Sequence, residues 1–130
     1  SWKGFCMMND EMKRVADALS ALRTPAVPEE FDLHAAIAGA LTAAGVAYDH
    51  EYRLAPRCRI DFRVGRVGVE VKKGRPAPSQ LKRQIARYLE SDALDALLVV
   101  AQRAVPLPAT IGGKPVELLS LNRLWGVALP

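Results

Sequence analysis

Apolar side chains recur at three- and four-residue steps in some stretches and at every second position in others, and this alternation outlines the chain. From Asp10 to Leu22 the stripe is Met12, Val15, Ala16, Leu19 and Leu22, which predicts a helix with an acidic start. Thr24-Pro25-Ala26-Val27-Pro28 ends it, because proline removes an amide donor and restrains the residue before it. A second helix is expected from Glu29 to Ala44 on the stripe Leu33, Ile37, Ala40, Leu41 and Ala44. Gly45 closes it where a left-handed cap is cheap. Val46 to Leu54 reads as a strand, and Cys58–Val64 with Val67–Lys72 as a hairpin around Gly65-Arg66. Pro76 to Ser91 predicts a third helix, with its prolines near the start where they are tolerated. Ala93 to Ala101 carries Leu97-Leu98-Val99-Val100, the continuous run of a strand covered on both faces. After a turn at Gly112-Gly113-Lys114-Pro115, Val116–Leu121 and Leu124–Leu129 form a last strand and a tail. The order ααβββαβ with a terminal β segment implies an α/β fold, a small mixed sheet with helices on its faces.

Composition fits that picture: 130 residues, 50% hydrophobic and 25% charged, suit one compact domain that needs no disulfide staples. Residues 1–28 read as an N-terminal helix and linker, and 29–130 as the main body. No apolar run approaches the roughly 20 residues that cross a bilayer, and no signal-type region is seen, so no membrane association is expected. Cys6 and Cys58 make neither a metal spacing nor a disulfide framework, which favours a reducing, cytoplasmic setting.

The net charge of +4 changes meaning once it is divided. Residues 53–90 hold eleven Lys/Arg against three Asp/Glu, a local +8, and the remainder holds seven against eleven, or −4. A basic segment in an acidic frame suits a polyanionic partner.

Inside that segment, strand period two sends Ile60, Phe62, Val67, Val69 and Val71 to the core. Asp61, Glu70 and Lys72 fall on the other faces of their strands, and a tight hairpin brings those faces together. Two carboxylates suit a hard divalent cation that retains waters, and an adjacent ammonium can activate one of them or balance charge developing on phosphorus. An alternating, solvated hairpin face would carry the same letters. On the third helix Leu81, Gln84, Ile85 and Tyr88 share a face, while Lys82, Arg83 and Arg87 point away. On the second, Glu30 and His34 extend the stripe of Ile37 and Leu41; a helix-dipole acid and an edge histidine are the plainer account. Glu51 is one more carboxylate, whose parity does not decide whether it reaches the site.

Asp61 followed by Glu70-Val71-Lys72 in a hairpin resembles the PD-(D/E)xK nuclease superfamily, and Gln84-x-x-x-Tyr88 is similar to the QxxxY motif of its RecB-like branch. Glu30-x-x-x-His34 resembles the upstream acidic or histidine element of such nucleases, so the likeness spans about residues 29–121. It implies a restriction-endonuclease-like core and metal-dependent hydrolysis of DNA phosphodiesters through a metal-activated water, with Mg²⁺ or Mn²⁺ as cofactor. On the same ground Asp61, Glu70 and the Val71 carbonyl would hold the metal, completed by Glu30 or His34. Lys72 would activate the water, and Gln84 and Tyr88 would support the site or touch the strand. The family's proline before the first aspartate is Ile60 here, and no cysteine cluster for an iron–sulfur centre follows. Arg57, Arg59, Arg63, Arg66, Lys73, Arg75, Lys82, Arg83 and Arg87 would then hold backbone phosphates without reading sequence. By analogy, a second copy of the chain would help such a small nuclease grip a duplex. An inactive nucleic-acid-binding module of the same fold, or a subunit docking an acidic protein, are the competing readings. The Ala-, Arg-, Leu- and Pro-rich composition is compatible with a bacterial or phage source.

Overall fold

A computed structural model describes residues 2–20, 22 and 30–121, with side chains of 2–9 and 30–32 excepted. The proline-rich break after the first helix and the tail from 122 onward lie outside the described residues. The elements are α1 (Trp2–Leu19), α2 (Glu30–Ala43), β1 (Asp49–Ala55), β2 (Cys58–Val64), β3 (Val67–Lys72), α3 (Pro78–Leu89), β4 (Ala96–Ala101), β5 (Thr110–Ile111) and β6 (Lys114–Ser120). The expected order holds, with α1 beginning upstream of Asp10 and the short β5 added before the glycine turn. No helix among the described residues is long and apolar enough to cross a membrane.

The chain is α/β, with a six-stranded mixed sheet in the order β1-β2-β3-β4-β6-β5. β1, β2 and β3 form an antiparallel meander, whereas β3–β4 and β4–β6 are parallel. Parallel neighbours need a crossover, and α3 supplies the one between β3 and β4. It opens with Pro78 in its first turn, where no amide hydrogen is missed. At its other end the Lys114 ammonium donates to the carbonyls of Leu89 (2.8 Å), Ser91 (3.1 Å) and Leu94 (2.6 Å), a cation placed where the helix dipole is negative.

Two cores result, one on each side of the sheet. Helices α1 and α2 bury Met12, Val15, Leu19, Leu33, Ile37 and Leu41 over Phe62, Val67, Val69, Val71, Leu98 and Val100. On the opposite side α3 buries Leu81, Ile85, Tyr88 and Leu89 over Ile60, Leu97, Val99 and Val116. Every residue of β4 is buried, as its unbroken apolar run requires. Because α1 shares the first core with α2 and the sheet, it is part of the same packed body rather than a separate arm.

The five apolar positions of the hairpin are all buried as expected, but strict alternation does not hold along β2. Ile60 and Phe62 are both fully buried, but in different cores. Their partners on β1 behave alike: His50 lies opposite Phe62 and stacks on it, while Tyr52 lies opposite Ile60 and joins the α3 side. The β1–β2 ribbon therefore rolls over between these two rungs. Glu51, at the roll on β1, has φ 56°, a left-handed conformation that L side chains adopt only under constraint.

Gly68 makes room for the displaced Ile60. A Cβ at Gly68 would meet Ile60 Cδ1 at 2.5 Å and Leu94 Cδ1 at 2.9 Å. Gly68→Ala is expected to cost about 1–3 kcal/mol through overpacking, read as a lower urea midpoint with unchanged slope. An unchanged midpoint would mean that Ile60 is not held against that strand.

Candidate active site

The roll in β2 falls at Asp61. Above it β2 and β3 pair through Phe62–Val69, Arg63–Gly68 and Val64–Val67, and no backbone pairing continues past Phe62. Carboxylates take over where the ladder stops. The Val71 amide donates to Asp61 Oδ2 at 2.7 Å, and the Asp61 amide to Glu70 Oε1 at 3.4 Å. Each acid thus satisfies a main-chain donor that the parting strands leave open. That is how Asp61 and Glu70, nine residues apart, come together.

Glu70 is the buried member, 4% exposed, and the α3 side of the sheet surrounds it. Its Oε2 accepts from the Tyr88 hydroxyl at 3.0 Å and lies 3.3 Å from Lys72 Nζ. The Gln84 amide donates to the Tyr88 oxygen at 2.9 Å, so the two α3 residues act in series on one carboxylate. One turn of helix separates them, which is why their four-residue spacing was legible. Burial, with the Asp61 charge adding to it, raises the Glu70 carboxyl to about 7, against the opposing influence of Lys72 and the Tyr88 hydroxyl. Burial and the Glu70 charge push the Tyr88 phenol well above its ordinary value, so it stays a donor.

From the other core comes His34. Its Nε2 is 3.7 Å from Asp61 Oδ1 and is buried with no hydrogen-bond partner, while Nδ1 is 3.0 Å from His50 Nε2. His50 was not among the residues singled out from the sequence. The available signal was the tight β1–β2 hairpin, which counts residue 50 opposite 62, next to Asp61. Glu51 turns outward, more than half exposed, and ion-pairs with Arg59 at 3.3 Å. The Glu30 side chain lies outside the described residues, although its backbone opens α2.

The cations do not share one surface. Lys72, Arg83 and Arg87 line a groove of about 470 Å³ along α3 together with Gln80, Leu81 and Gln84, and Lys72 joins it to Glu70. Arg59 is exposed nearby, and Lys73 and Arg75 lie in the turn before α3. Lys82 sits beside a separate apolar depression with Pro108 and Ile111. Arg63 is spent structurally: it stacks over Tyr52 at 4.6 Å, reaches the Ala93 carbonyl at 3.3 Å and approaches Asp49 at 3.9 Å. Arg66 likewise clamps Asp95 and the Asp92 carbonyl at the hairpin turn.

No family model matches the chain, and no curated protein or solved structure does. What the site can do therefore rests on its chemistry. Among the described residues no group of three or more His, Cys, Asp or Glu side chains is gathered to hold a metal by themselves. The donor set still fits a small divalent cation, because Mg²⁺ keeps several waters and needs one or two carboxylates. Two features favour such an ion: adjacent carboxylates with more negative charge than Lys72 offsets, and an unpartnered imidazole nitrogen facing one of them.

Proposed function

We propose that the chain is a metal-dependent DNA nuclease of the PD-(D/E)xK type, with a restriction-endonuclease-like core and Mg²⁺ or Mn²⁺ as cofactor. The observation that carries this reading is the meeting of Asp61, Glu70 and Lys72 where β2 and β3 part, with Tyr88 and Gln84 acting on Glu70. A merely solvated hairpin face would leave Glu70 exposed rather than 4% exposed among hydrogen-bond donors.

Asp61, Glu70 and the Val71 carbonyl would hold the cation, with His34 at the edge of the shell. When bound, it polarises a phosphate oxygen and makes a neighbouring water more acidic. The protein's residues do the rest. Lys72 Nζ, half-buried beside Glu70, orients the attacking water and offsets charge gathering on the phosphate oxygens. Tyr88 donates to Glu70 Oε2 and so leaves Oε1 turned toward Asp61, while Gln84 restrains the phenol. Arg83 and Arg87 in the groove, with Arg59, Lys73 and Arg75 around it, bind flanking phosphates by charge. Such contacts position a strand without specifying its sequence.

The test is incubation with linear, circular, single-stranded and branched DNA in Mg²⁺, Mn²⁺ or EDTA, beside Asp61→Ala and Lys72→Ala. Cleavage that needs metal and is lost in both variants is the expected result. Cleavage retained in both would trace the activity to a contaminant and end the proposal. Wild type that binds DNA without cutting any form would transfer the fold to the binding-module reading.

A further inference from the structure

The two histidines of this chain touch, and the contact has a direction. His34 Nδ1 and His50 Nε2 are 3.0 Å apart, so one ring donates and the other accepts. The free end of His34, Nε2, is buried without a partner and faces Asp61 Oδ1. With the proton on Nδ1 and donated to His50 Nε2, the Nε2 lone pair of His34 is left free beside Asp61 Oδ1, which is how a ligating imidazole is arranged.

His50 is fixed for that task from a second side. Its ring stacks on Phe62 with centroids 4.7 Å apart and planes 27° apart, and His34 packs on the same phenyl ring at 5.5 Å. The roll of the ribbon at Glu51 and Asp61 puts His50 on the α2 side while Tyr52 goes to the other. The strained backbone is thus what aims this imidazole at His34.

We propose that His50 is a positioning residue for a metal site. By accepting from His34 Nδ1, it keeps the His34 Nε2 lone pair directed at the position shared with Asp61 Oδ1. This rests on the metal-site reading above and adds a consequence for ion choice. An imidazole nitrogen in the shell costs Mg²⁺, which takes oxygen donors, more than Mn²⁺, a first-row transition ion higher in affinity for nitrogen. An outer-shell hydrogen bond that fixes the tautomer of a ligating histidine commonly governs about 10- to 100-fold in metal affinity.

The experiment uses the full chain and two readouts besides cleavage. Nitrogen NMR of the metal-free protein reads the His34 tautomer, and titration calorimetry with Mn²⁺ alone and Mg²⁺ alone reads affinity. His34 protonated on Nδ1 is expected. His50→Leu, which keeps an apolar cover over Phe62, should weaken Mn²⁺ binding by about 10- to 100-fold and Mg²⁺ binding by much less. His50→Gln, whose side-chain carbonyl can accept the same bond, should recover most of the Mn²⁺ affinity at an equal unfolding midpoint. A His34 proton found on Nε2 overturns the proposal. So does a His50→Leu protein that binds Mn²⁺ like wild type while His34→Ala does not, and in that case the metal site itself stands. A wild-type protein that binds neither ion removes the metal-site reading and this proposal together.

Discussion

Replacing Lys72 by alanine is expected to lower metal-dependent DNA cleavage by about 10²- to 10⁴-fold, the range associated with a positioned proton-transfer or charge-stabilising group. Its ammonium lies 3.3 Å from Glu70 Oε2, and it also lines the groove along α3. That double position is what a group needs to meet both a water held near the acids and a phosphate arriving through the groove. Metal affinity should move the other way or not at all, because removing a cation beside Asp61 and Glu70 lowers repulsion of an incoming divalent ion. The result to seek is therefore a fall in turnover with Mn²⁺ binding equal to or tighter than wild type, measured by single-turnover cleavage and calorimetry. If Lys72→Ala keeps more than a tenth of the wild-type rate, Lys72 is a structural partner of Glu70 and the chemistry lies elsewhere.

Glu70→Gln should separate activity from stability. In the unfolded chain this carboxyl ionises near 4.5, whereas in the folded protein it ionises near 7 because it is buried beside Asp61. The native state therefore holds the proton more tightly, and the free energy of unfolding falls as pH rises from about 4.5 to about 7. The penalty is fully present above pH 7 and amounts to something on the order of 3 kcal/mol at most. Glutamine carries no charge to desolvate and can still accept from Tyr88. Without metal, Glu70→Gln is expected to match wild type near pH 4.5, to exceed it increasingly up to about pH 7 and to hold that margin above it, while cutting no DNA. Urea unfolding in EDTA across that range measures the gap. Added Mn²⁺ should narrow it by stabilising wild type alone. Parallel pH profiles for the two proteins would show that Glu70 ionises freely, which contradicts its place in the site.

The carboxylates and the α3 pair were legible because local periods report them. Asp61, Glu70 and Lys72 stand out as polar positions in strands whose alternate positions are apolar. Gln84 and Tyr88 stand out as polar groups on a helix stripe with Leu81 and Ile85. The cationic segment was legible as composition but not as surface. Arg63 and Arg66 share its sequence with Arg83 and Arg87, yet the first two are committed to Tyr52, Ala93, Asp95 and Asp92, while the second two line the groove. A one-dimensional count weighs all four alike, since it holds no information on which carboxylate or carbonyl each finds across the fold.

His50 marks the other boundary. Strict alternation assigns Ile60 with Phe62, and His50 with Tyr52, to common faces, and the ribbon breaks that rule at Asp61 and Glu51. The period of a strand is a property of its backbone alone, so it predicts the strand and fails at a roll imposed by neighbours. By itself the sequence determined the α/β order, the buried β4, the hairpin and the polar positions Asp61, Glu70 and Lys72 that interrupt its apolar alternation, because these follow from short-range periodicity and charge. Only the tertiary structure decided how α2, β1, β2, β3 and α3 meet at one point. The parting of β2 from β3 exchanges backbone pairs for carboxylate contacts, and two cores on opposite faces must both be filled by one twisted ribbon.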